Sequence, residues 1–177
     1  GSTRTNRIAV IPGDGIGNEV LPEGQKVLEA ASGGRFRLDW QQFDWSCERF
    51  VKTGAMVPKD GLDQIRDFDA IYLGAVGFPG VPDHVSLWGL LIPIRRNFHQ
   101  YINLRPVKLI KGVQSPLANP GDIDFYVVRE NNEGEYSDIG GRLYSGEDSE
   151  LCMQQSIFSR RGCDRVMRYA FNLSMTR

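Results

Sequence analysis

Three arginines occupy positions where a cationic side chain requires an anionic partner. Arg105 interrupts an apolar strand pattern just before Pro106, Arg129 ends another such pattern, and Arg95 precedes Arg105 by ten positions. A guanidinium is effectively always charged, so its burial is costly unless a carboxylate or a phosphate pairs with it. A small dicarboxylate would supply bidentate, charge-assisted pairing. The three together are compatible with dicarboxylate binding, although any one of these arginines taken alone more often pairs with an internal acid or faces solvent.

A glycine-rich corner near the N-terminus could in principle bind phosphate. It lies in the stretch IPGDGIGNEV at 11–20, between an apolar run and an amphipathic pattern. A dinucleotide phosphate loop needs the spacing Gly-x-Gly-x-x-Gly. Here the third glycine, Gly17, comes one residue early, and Asp14 places a carboxylate where a pyrophosphate would bind. The spacing therefore favours a tight strand-to-helix turn over a phosphate loop.

The elements that must position these residues alternate along the first hundred residues. Strand patterns occur at 7–12, 36–40 and 70–73, and helix patterns occur at 17–31, from Cys47 to Gly54 and after Pro58. The helix over 17–31 carries four apolar residues on one face, Val20, Val27, Leu28 and Ala31. Such alternation is typical of an α/β fold with a largely parallel sheet.

The second half of the chain has a less regular pattern. The apolar stretch 86–98 contains Pro93, which should kink or shorten any helix there. Strands are predicted at 102–110 and 123–129, an extended segment at 151–159 and a helix at 164–175. The segment 131–149 is polar and glycine-rich, and no element is assigned to it.

Composition excludes several classes of protein. The 177 residues carry a formal net charge of -1, which is not the basic excess of a nucleic-acid-binding domain. We find no apolar run long enough to span a membrane and no secretory signal, so we expect a cytoplasmic protein without a membrane partner. The three cysteines and two histidines lack the spacing of a zinc or redox site, and no metal ligands are predicted within the chain. Gly1 and Ser2 are interpreted as the remnant of a cleaved tag.

Three motifs together resemble the metal-dependent β-decarboxylating 2-hydroxyacid dehydrogenases, a family that includes isocitrate, isopropylmalate, tartrate and D-malate dehydrogenases. They are IPGDGIGNEV, the pair Arg95 and Arg105 leading into NLRPV, and RENNEGEY at 129–136. The resemblance runs from residue 7 to the C-terminus. It implies an α/β, isopropylmalate dehydrogenase-like two-domain fold with a mixed sheet, which is not a Rossmann fold. Residues 3–100 would form the N-terminal part of the first domain, and 101–177 the beginning of a second, dimerisation and substrate domain.

The resemblance also assigns roles to the polar residues. Arg95, Arg105 and Arg129 would form a clamp for the substrate carboxylates, and Tyr136 would protonate the enol left after decarboxylation. A tyrosine suits that step because its hydroxyl donates a proton while staying uncharged at neutral pH. Without the motif, a loop tyrosine that only packs its ring would fit the same sequence.

Cofactors and substrate follow from the same resemblance. NAD would accept the hydride, and Mn²⁺ or Mg²⁺ would polarise the oxygen of the resulting keto acid. Residues 74–76, that is Gly74, Ala75 and Val76, would contact the nicotinamide end of NAD together with Ile11. Trp88 lies in SLWG at 86–89, which resembles tartrate and D-malate dehydrogenases more than the other members. Trp88 fits a core position equally well, Pro93 leaves the orientation of Arg95 open, and an isopropylmalate-type activity remains the alternative.

Part of the family's machinery falls after the position where this chain stops. In the family, a proton-relaying lysine, the metal-binding aspartates and the segment that holds the adenosine of NAD follow the equivalent of Arg177. The first domain is completed by C-terminal chain, and two subunits of a homodimer share the active site. We therefore expect a truncated chain or a natural remnant, with a non-catalytic folded fragment as the alternative to an active enzyme.

Overall fold

The structure is a computed structural model that describes residues 3–177, so Gly1 and Ser2, the predicted tag remnant, lie outside the described residues. The chain divides into two compact units. The first ends at Phe98, and the second runs from His99 to Arg177.

The first unit contains a parallel sheet with its longest strand in the middle. The strands are β1 (Arg4–Gly13), β2 (Phe36–Gln42) and β3 (Ala70–Ala75), in the order β2-β1-β3. Helix α1 (Gly17–Ser32) connects β1 to β2, and α2 (Cys47–Thr53) and α3 (Gly61–Ile65) lie between β2 and β3. The predicted alternation of strands and helices in this half of the chain is confirmed.

The core of the first unit forms on both faces of β1. Because successive side chains of a strand point to opposite faces, Ala9 and Ile11 face one side of the sheet while Ile8 and Val10 face the other. Ala9 and Ile11 belong to the larger apolar cluster, in which the rings of Phe43 and Trp45 are 4.8 Å apart. The smaller cluster packs Ile8 and Val10 against Leu21 of α1. The other buried members of the larger cluster are Cys47, Met56, Ile65, Leu90 and Ile94.

The apolar face predicted for α1 is not the face that packs on the sheet. Val20 and Val27 are exposed, at 48% and 67% of their surface, whereas Leu21 is buried. Gly24 lies against the Tyr72 hydroxyl, where a Cβ would overlap the hydroxyl oxygen. The face of α1 that approaches the sheet closely is therefore the one that carries Gly24, and not the one that carries the two valines.

Pro93 lies within a helical segment that changes its winding. Helix α4 (Asp83–Ser86) continues into a π-turn (Leu87–Leu91) and then into α5 (Ile92–Asn97). A proline inside a regular α-helix clashes with the carbonyl four residues earlier and leaves it without a donor. The wider π-turn directly before Pro93 is the local distortion that the sequence predicted.

The second unit is built from antiparallel strands and one helix. Strands β4 (Ile102–Lys108) and β5 (Asp124–Glu130) pair with each other, and β6 (Gly134–Leu143) pairs with β7 (Leu151–Ile157). Helix α6 (Arg160–Ser174) follows, and the Ser159 hydroxyl caps it by accepting the Gly162 N–H at 3.0 Å. Among the helices of residues 3–177, none is both long and apolar enough to cross a membrane.

Strand β6 occupies much of the polar, glycine-rich segment 131–149, to which the sequence pattern assigned no element. The strand is irregular, because its register shifts between Gly134 and Ile139 and Asp138 has a φ of 55°. A Cβ at Gly140 would overlap the Met153 carbonyl, so the hairpin requires glycine where the two strands approach. These features remove the apolar alternation by which a strand is recognised in a sequence.

Candidate functional site

Arg105 and Arg129 extend from one face of the β4–β5 pair. Asn103 lies opposite Arg129 in the antiparallel register, and Arg105 lies opposite Val127. Residues that oppose each other share a face, as do residues two apart on a strand. Arg105 and Arg129 are therefore diagonal neighbours, with Arg105 exposed and Arg129 half-buried.

Tyr136 lies within hydrogen-bonding distance of Arg129. The Arg129 Nη2 donates to the Tyr136 hydroxyl oxygen at 2.6 Å, and the guanidinium carbon lies 5.6 Å from the centre of the tyrosine ring. A phenol oxygen that accepts this bond keeps its own hydrogen for a further acceptor. The pair therefore places a phenol hydroxyl beside a fixed positive charge.

A chain of amide hydrogen bonds orients Arg105. Arg105 Nε donates to Asn103 Oδ1 at 3.2 Å, Asn103 Nδ2 donates to Asn131 Oδ1 at 3.4 Å, and Asn131 Nδ2 donates to the Gln100 carbonyl at 2.8 Å. Because Gln100 contributes a carbonyl, which only accepts, the orientation of each amide in the chain is determined. Asn131 is only 6% exposed, so this arrangement is anchored inside the unit.

Sequence reasoning missed the roles of Asn103 and Asn131. The signal for Asn103 was its position two residues before Arg105, which places both side chains on one face of a strand. Asn131 was part of the motif but received no role of its own.

Most of the RENNEGEY motif shapes the backbone rather than a binding surface. Glu130 Oε1 accepts the N–H groups of Asn132 and Glu133 at 2.7 and 3.0 Å, which closes the turn after β5. Gly134 has a φ of 74°, and a Cβ there would come within 2.7 Å of the Phe158 ring. The turn brings β6 back so that Tyr136 reaches Arg129.

Glu133 connects this turn to the start of α6. Its carboxylate accepts the Ser159 N–H at 2.8 Å and the Ser159 hydroxyl at 2.6 Å. Burial alone would raise the pKa of Glu133, but the hydrogen bonds from Ser159 and the positive charge of Arg165 hold that pKa below its ordinary value. The ionised form of Glu133 is therefore the one that stabilises the helix start.

The four residues predicted to contact NAD lie together in the first unit, at the carboxyl ends of two neighbouring strands. Ile11 pairs with Leu73, and two positions further on Gly13 pairs with Ala75. Ligands of open parallel sheets bind at this edge. Ala75 and Val76 are half-buried, and Ile11 is 0% exposed within the core. A Cβ at Gly74 would overlap the Pro12 carbonyl, so this glycine is required for strand packing.

Asp14 fills the glycine corner with its own carboxylate. The side chain is 5% exposed and accepts the backbone N–H groups of Cys47, Glu48 and Gly77 at 2.9, 3.1 and 3.3 Å. It thereby binds the start of α2 to the loop after β3. The Asp14 carboxylate therefore has a structural role at this corner, because it joins two segments that lie far apart in the sequence.

Cys47 is held beside this carboxylate as a neutral thiol. Burial raises the pKa of Cys47 to about 11, and the negative charge of Asp14 and a hydrogen bond to it add to the shift. A thiol with such a pKa stays protonated at neutral pH and is a poor nucleophile.

Trp88 and Arg95 belong to the first unit. Trp88 is half-buried in the π-turn, with the Arg96 guanidinium 5.1 Å from the centre of its ring, and Arg95 is half-buried near the end of α5. Arg105, Arg129 and Tyr136 are the predicted site residues that the second unit brings together.

No group of three or more His, Cys, Asp or Glu side chains within residues 3–177 is arranged to hold a metal ion. The described residues therefore do not form a divalent-metal centre by themselves.

Comparison with known proteins identifies relatives over nearly the whole chain. The profile of the isocitrate/isopropylmalate dehydrogenase family matches residues 7–177. D-malate dehydrogenase [decarboxylating] of Escherichia coli (strain K12) is 58% identical over 98% of this chain and 50% of its own length. Tartrate dehydrogenase/decarboxylase of Pseudomonas putida is 54% identical over 97% of this chain and 48% of its own length. The chain thus spans about half the length of the curated relatives it matches.

Solved structures agree with the sequence relatives. Isocitrate dehydrogenase from Methylococcus capsulatus superposes with a TM-score of 0.79 at 26% identity, covering 97% of this chain and 48% of that one. A β-decarboxylating dehydrogenase from Thermococcus kodakarensis gives a TM-score of 0.65 at 29% identity, over 93% of this chain and 44% of its own. The predicted isopropylmalate dehydrogenase-like α/β fold is confirmed.

Proposed function

The chain belongs to the isocitrate/isopropylmalate dehydrogenase family, and from this premise we propose that its protein oxidises and decarboxylates a small 2-hydroxy dicarboxylate. The proposed substrates are D-malate and tartrate, the proposed hydride acceptor is NAD, and the proposed metal is Mn²⁺ or Mg²⁺. The names of the two relatives that are 58% and 54% identical support this substrate class.

The hydrogen bond from Arg129 to the Tyr136 hydroxyl is the observation that carries the proposal. Arg105 extends from the same strand-pair face as Arg129, so two guanidiniums are available for the carboxylates of one substrate. Fixed positive charge on this face would hold a dianion in one orientation relative to the tyrosine.

Tyr136 is proposed to donate the proton that completes the reaction. After hydride removal and loss of the carboxylate as carbon dioxide, the substrate remains as an enol that must take up a proton on carbon. Arg129 donates to the phenol oxygen and thereby fixes its position, and the Tyr136 hydroxyl would pass its proton to that carbon when substrate is bound. The guanidinium also stabilises the negative charge that proton transfer leaves on the phenol oxygen.

NAD, when bound, supplies the acceptor for the hydride. Ala75 and Val76 fit the nicotinamide end because both are apolar, half-buried and placed at the carboxyl edge of the sheet. Gly74 would support this edge by allowing the close approach of Pro12. Ile11 would act indirectly. Because its side chain is fully buried, it would support the residues that contact NAD without touching NAD itself. For the divalent metal, the described residues offer no ligand cluster, and no step is assigned to it.

The remaining assignments extend the proposal to the whole protein. Arg95 would complete the carboxylate clamp, and Trp88 would limit the size of the substrate. Residues 3–100 would contribute to a first α/β domain, and 101–177 would begin a dimerisation and substrate domain. The protein would act in the cytoplasm as a homodimer with shared active sites.

The test measures NADH formation by the protein that carries this chain, with D-malate, tartrate or 3-isopropylmalate and with Mn²⁺ or Mg²⁺. We expect turnover of D-malate or tartrate that chelation of the metal abolishes. No turnover of any of the three acids would contradict the proposal. Preference for 3-isopropylmalate would assign the isopropylmalate-type activity instead.

A further inference from the structure

A second polar site lies along α6, and its lining includes none of the residues of the carboxylate clamp. A cavity of about 600 Å³ opens there, a size typical of small-molecule sites. Its lining includes four arginines, Arg160, Arg161, Arg165 and Arg168. Residues 161, 165 and 168 recur at the spacing of one helix face, so their guanidiniums converge on the cavity.

The cavity lining carries more positive than negative charge, although Arg165 also interacts with the Glu133 carboxylate outside the lining. Asp164 is the acidic residue of the lining, and its Oδ2 lies 3.6 Å from Arg160 Nε. That pair is solvated, since the Arg160 side chain is 94% exposed, and solvated pairs contribute little. Like charges four residues apart on a helix repel each other, as Arg161 and Arg165 must. The lining therefore retains an excess of positive charge that a bound anion would balance.

Arg165 is the most constrained of the four arginines. Its guanidinium carbon lies 4.6 Å from the centre of the Tyr101 ring, which also lines the cavity. The Arg165 Nε is buried and lacks a hydrogen-bond acceptor among the described residues. The contact with the Tyr101 ring holds the guanidinium in place, so little side-chain freedom is lost when its terminal N–H groups bind an anion.

We propose that this cavity binds a diphosphate group, as inorganic pyrophosphate or as part of a nucleoside diphosphate. The planar fork of arginine pairs with phosphate oxygens in a bidentate manner. Arg161 and Arg168 are seven residues apart, about 10 Å along the helix axis, a span that two linked phosphates cover better than a single carboxylate. The rings of Tyr101 and Tyr169 border the same cavity and offer a stacking surface to a base.

The proposal is tested by calorimetric titration of the 177-residue chain with pyrophosphate and with ADP. Both ligands should bind saturably at one site. The double variant Arg161→Gln/Arg168→Gln should weaken the binding of each ligand at least tenfold. The matched double variant Arg4→Gln/Arg37→Gln removes two exposed arginines from the first unit and should leave each affinity within twofold.

The outcomes separate specific recognition from general charge attraction. No saturable binding, unchanged binding in Arg161→Gln/Arg168→Gln or an equal loss in both double variants would overturn the proposal. Arg165→Lys keeps the positive charge but removes the planar guanidinium. The affinity of this variant for pyrophosphate and ADP should fall at least threefold. Its melting temperature, measured in parallel, shows whether it folds. If Arg165→Lys folds and binds as tightly as the parent chain, the diphosphate is not held by Arg165. None of these readouts requires dehydrogenase activity, so the diphosphate site and the proposed function can fail independently.

Discussion

The two units of the chain differ in what surrounds their apolar side chains. Among the described residues, the buried hydrophobic side chains all lie between Ile8 and Ile94, in the first unit. In the second unit, Phe125, Met153 and Phe171 are 47%, 52% and 73% exposed. Strand pairing and polar contacts hold the second unit together, as the β4–β5 and β6–β7 registers demonstrate.

Because of this difference, the stability of the fold depends mainly on the apolar core of the first unit, whereas the orientation of Arg129 and Tyr136 depends on hydrogen bonds in the second unit. An apolar core can fix the ends of strands, but it cannot hold a guanidinium without a partner, because the charge would lose its hydration. The second unit keeps Arg129 and Tyr136 half-buried and orients them through hydrogen bonds. Substitutions in the apolar core of the first unit should therefore act on folding, and substitutions of the polar site should act on turnover.

Tyr136→Phe should have the largest effect on activity and almost none on folding. Loss of a positioned general acid slows turnover by roughly 10²- to 10⁴-fold. The measurement is kcat for D-malate or tartrate in the protein that carries this chain, together with the melting temperature. Tyr144→Phe, which alters an exposed tyrosine, is the control and should leave kcat unchanged. Undiminished turnover in Tyr136→Phe would remove the tyrosine from the chemistry.

Ile65→Ala should have the largest effect on stability. Ile65 is 2% exposed in the core of the first unit, and truncation of such a side chain typically costs about 2–5 kcal/mol. Leu151→Ala changes a side chain that is 57% exposed in the second unit and should cost less than about 0.5 kcal/mol. Urea unfolding of both variants measures the contrast. Equal losses would mean that a further surface covers Leu151 in solution.

Asp14→Ala should destabilise the first unit by roughly 1–3 kcal/mol, because three backbone N–H groups lose their acceptor. The matched variant is Asp69→Ala, since the exposed Asp69 side chain accepts one backbone N–H, from Arg7 at 2.8 Å. In thermal unfolding, the melting temperature of Asp14→Ala should lie well below that of Asp69→Ala. The reverse ranking would contradict a structural role for the carboxylate in the glycine corner.

Glu133→Gln should have the smallest effect on stability, roughly 1 kcal/mol at neutral pH, and the effect should depend on pH. Because the folded-state pKa of Glu133 lies below its ordinary value of 4.5, ionised Glu133 stabilises the fold at higher pH, and this contribution is lost as pH falls through the folded-state pKa. Unfolding measured from pH 7 to pH 3 should show the difference between parent and variant shrinking below about pH 4.5. A difference that stayed constant from pH 7 to pH 3 would contradict this role of the Glu133 carboxylate, and Glu135→Gln, at an exposed position, is the control variant for stability at neutral pH.

The sequence predicted the strands of the first unit well because local signals agree there. Three local signals correspond to observed elements. They are the apolar run of β1, the alternation of Phe36, Leu38 and Trp40 in β2, and Gly54, which ends α2 in a left-handed conformation. For α1, the face with the most apolar residues was predicted to pack on the sheet, and this prediction was wrong. The packing face is chosen by close approach at Gly24, which depends on Tyr72 of a distant strand.

The second unit was harder to predict because its order comes from contacts between distant polar residues. Strand β6 contains glycines and a residue at positive φ, so it has no recognisable alternation. The chain from Arg105 through Asn103 and Asn131 to Gln100 joins two segments about thirty residues apart. The residue types alone indicated arginine and tyrosine chemistry. The hydrogen bonds that orient these side chains could be identified only from the folded structure.

The central claim is that the arginines on the face of the β4–β5 pair bind the substrate carboxylates. The most direct test compares kcat/KM for D-malate or tartrate in Arg105→Ala and Arg142→Ala. Loss of one partner of a close charge pair costs about 2–5 kcal/mol, so Arg105→Ala should lower kcat/KM by roughly 30-fold or more. Arg142, whose partner is Glu150 on the β6–β7 hairpin, should be replaceable without effect. Near-normal kcat/KM in Arg105→Ala, or an equal loss in both variants, would contradict the claim.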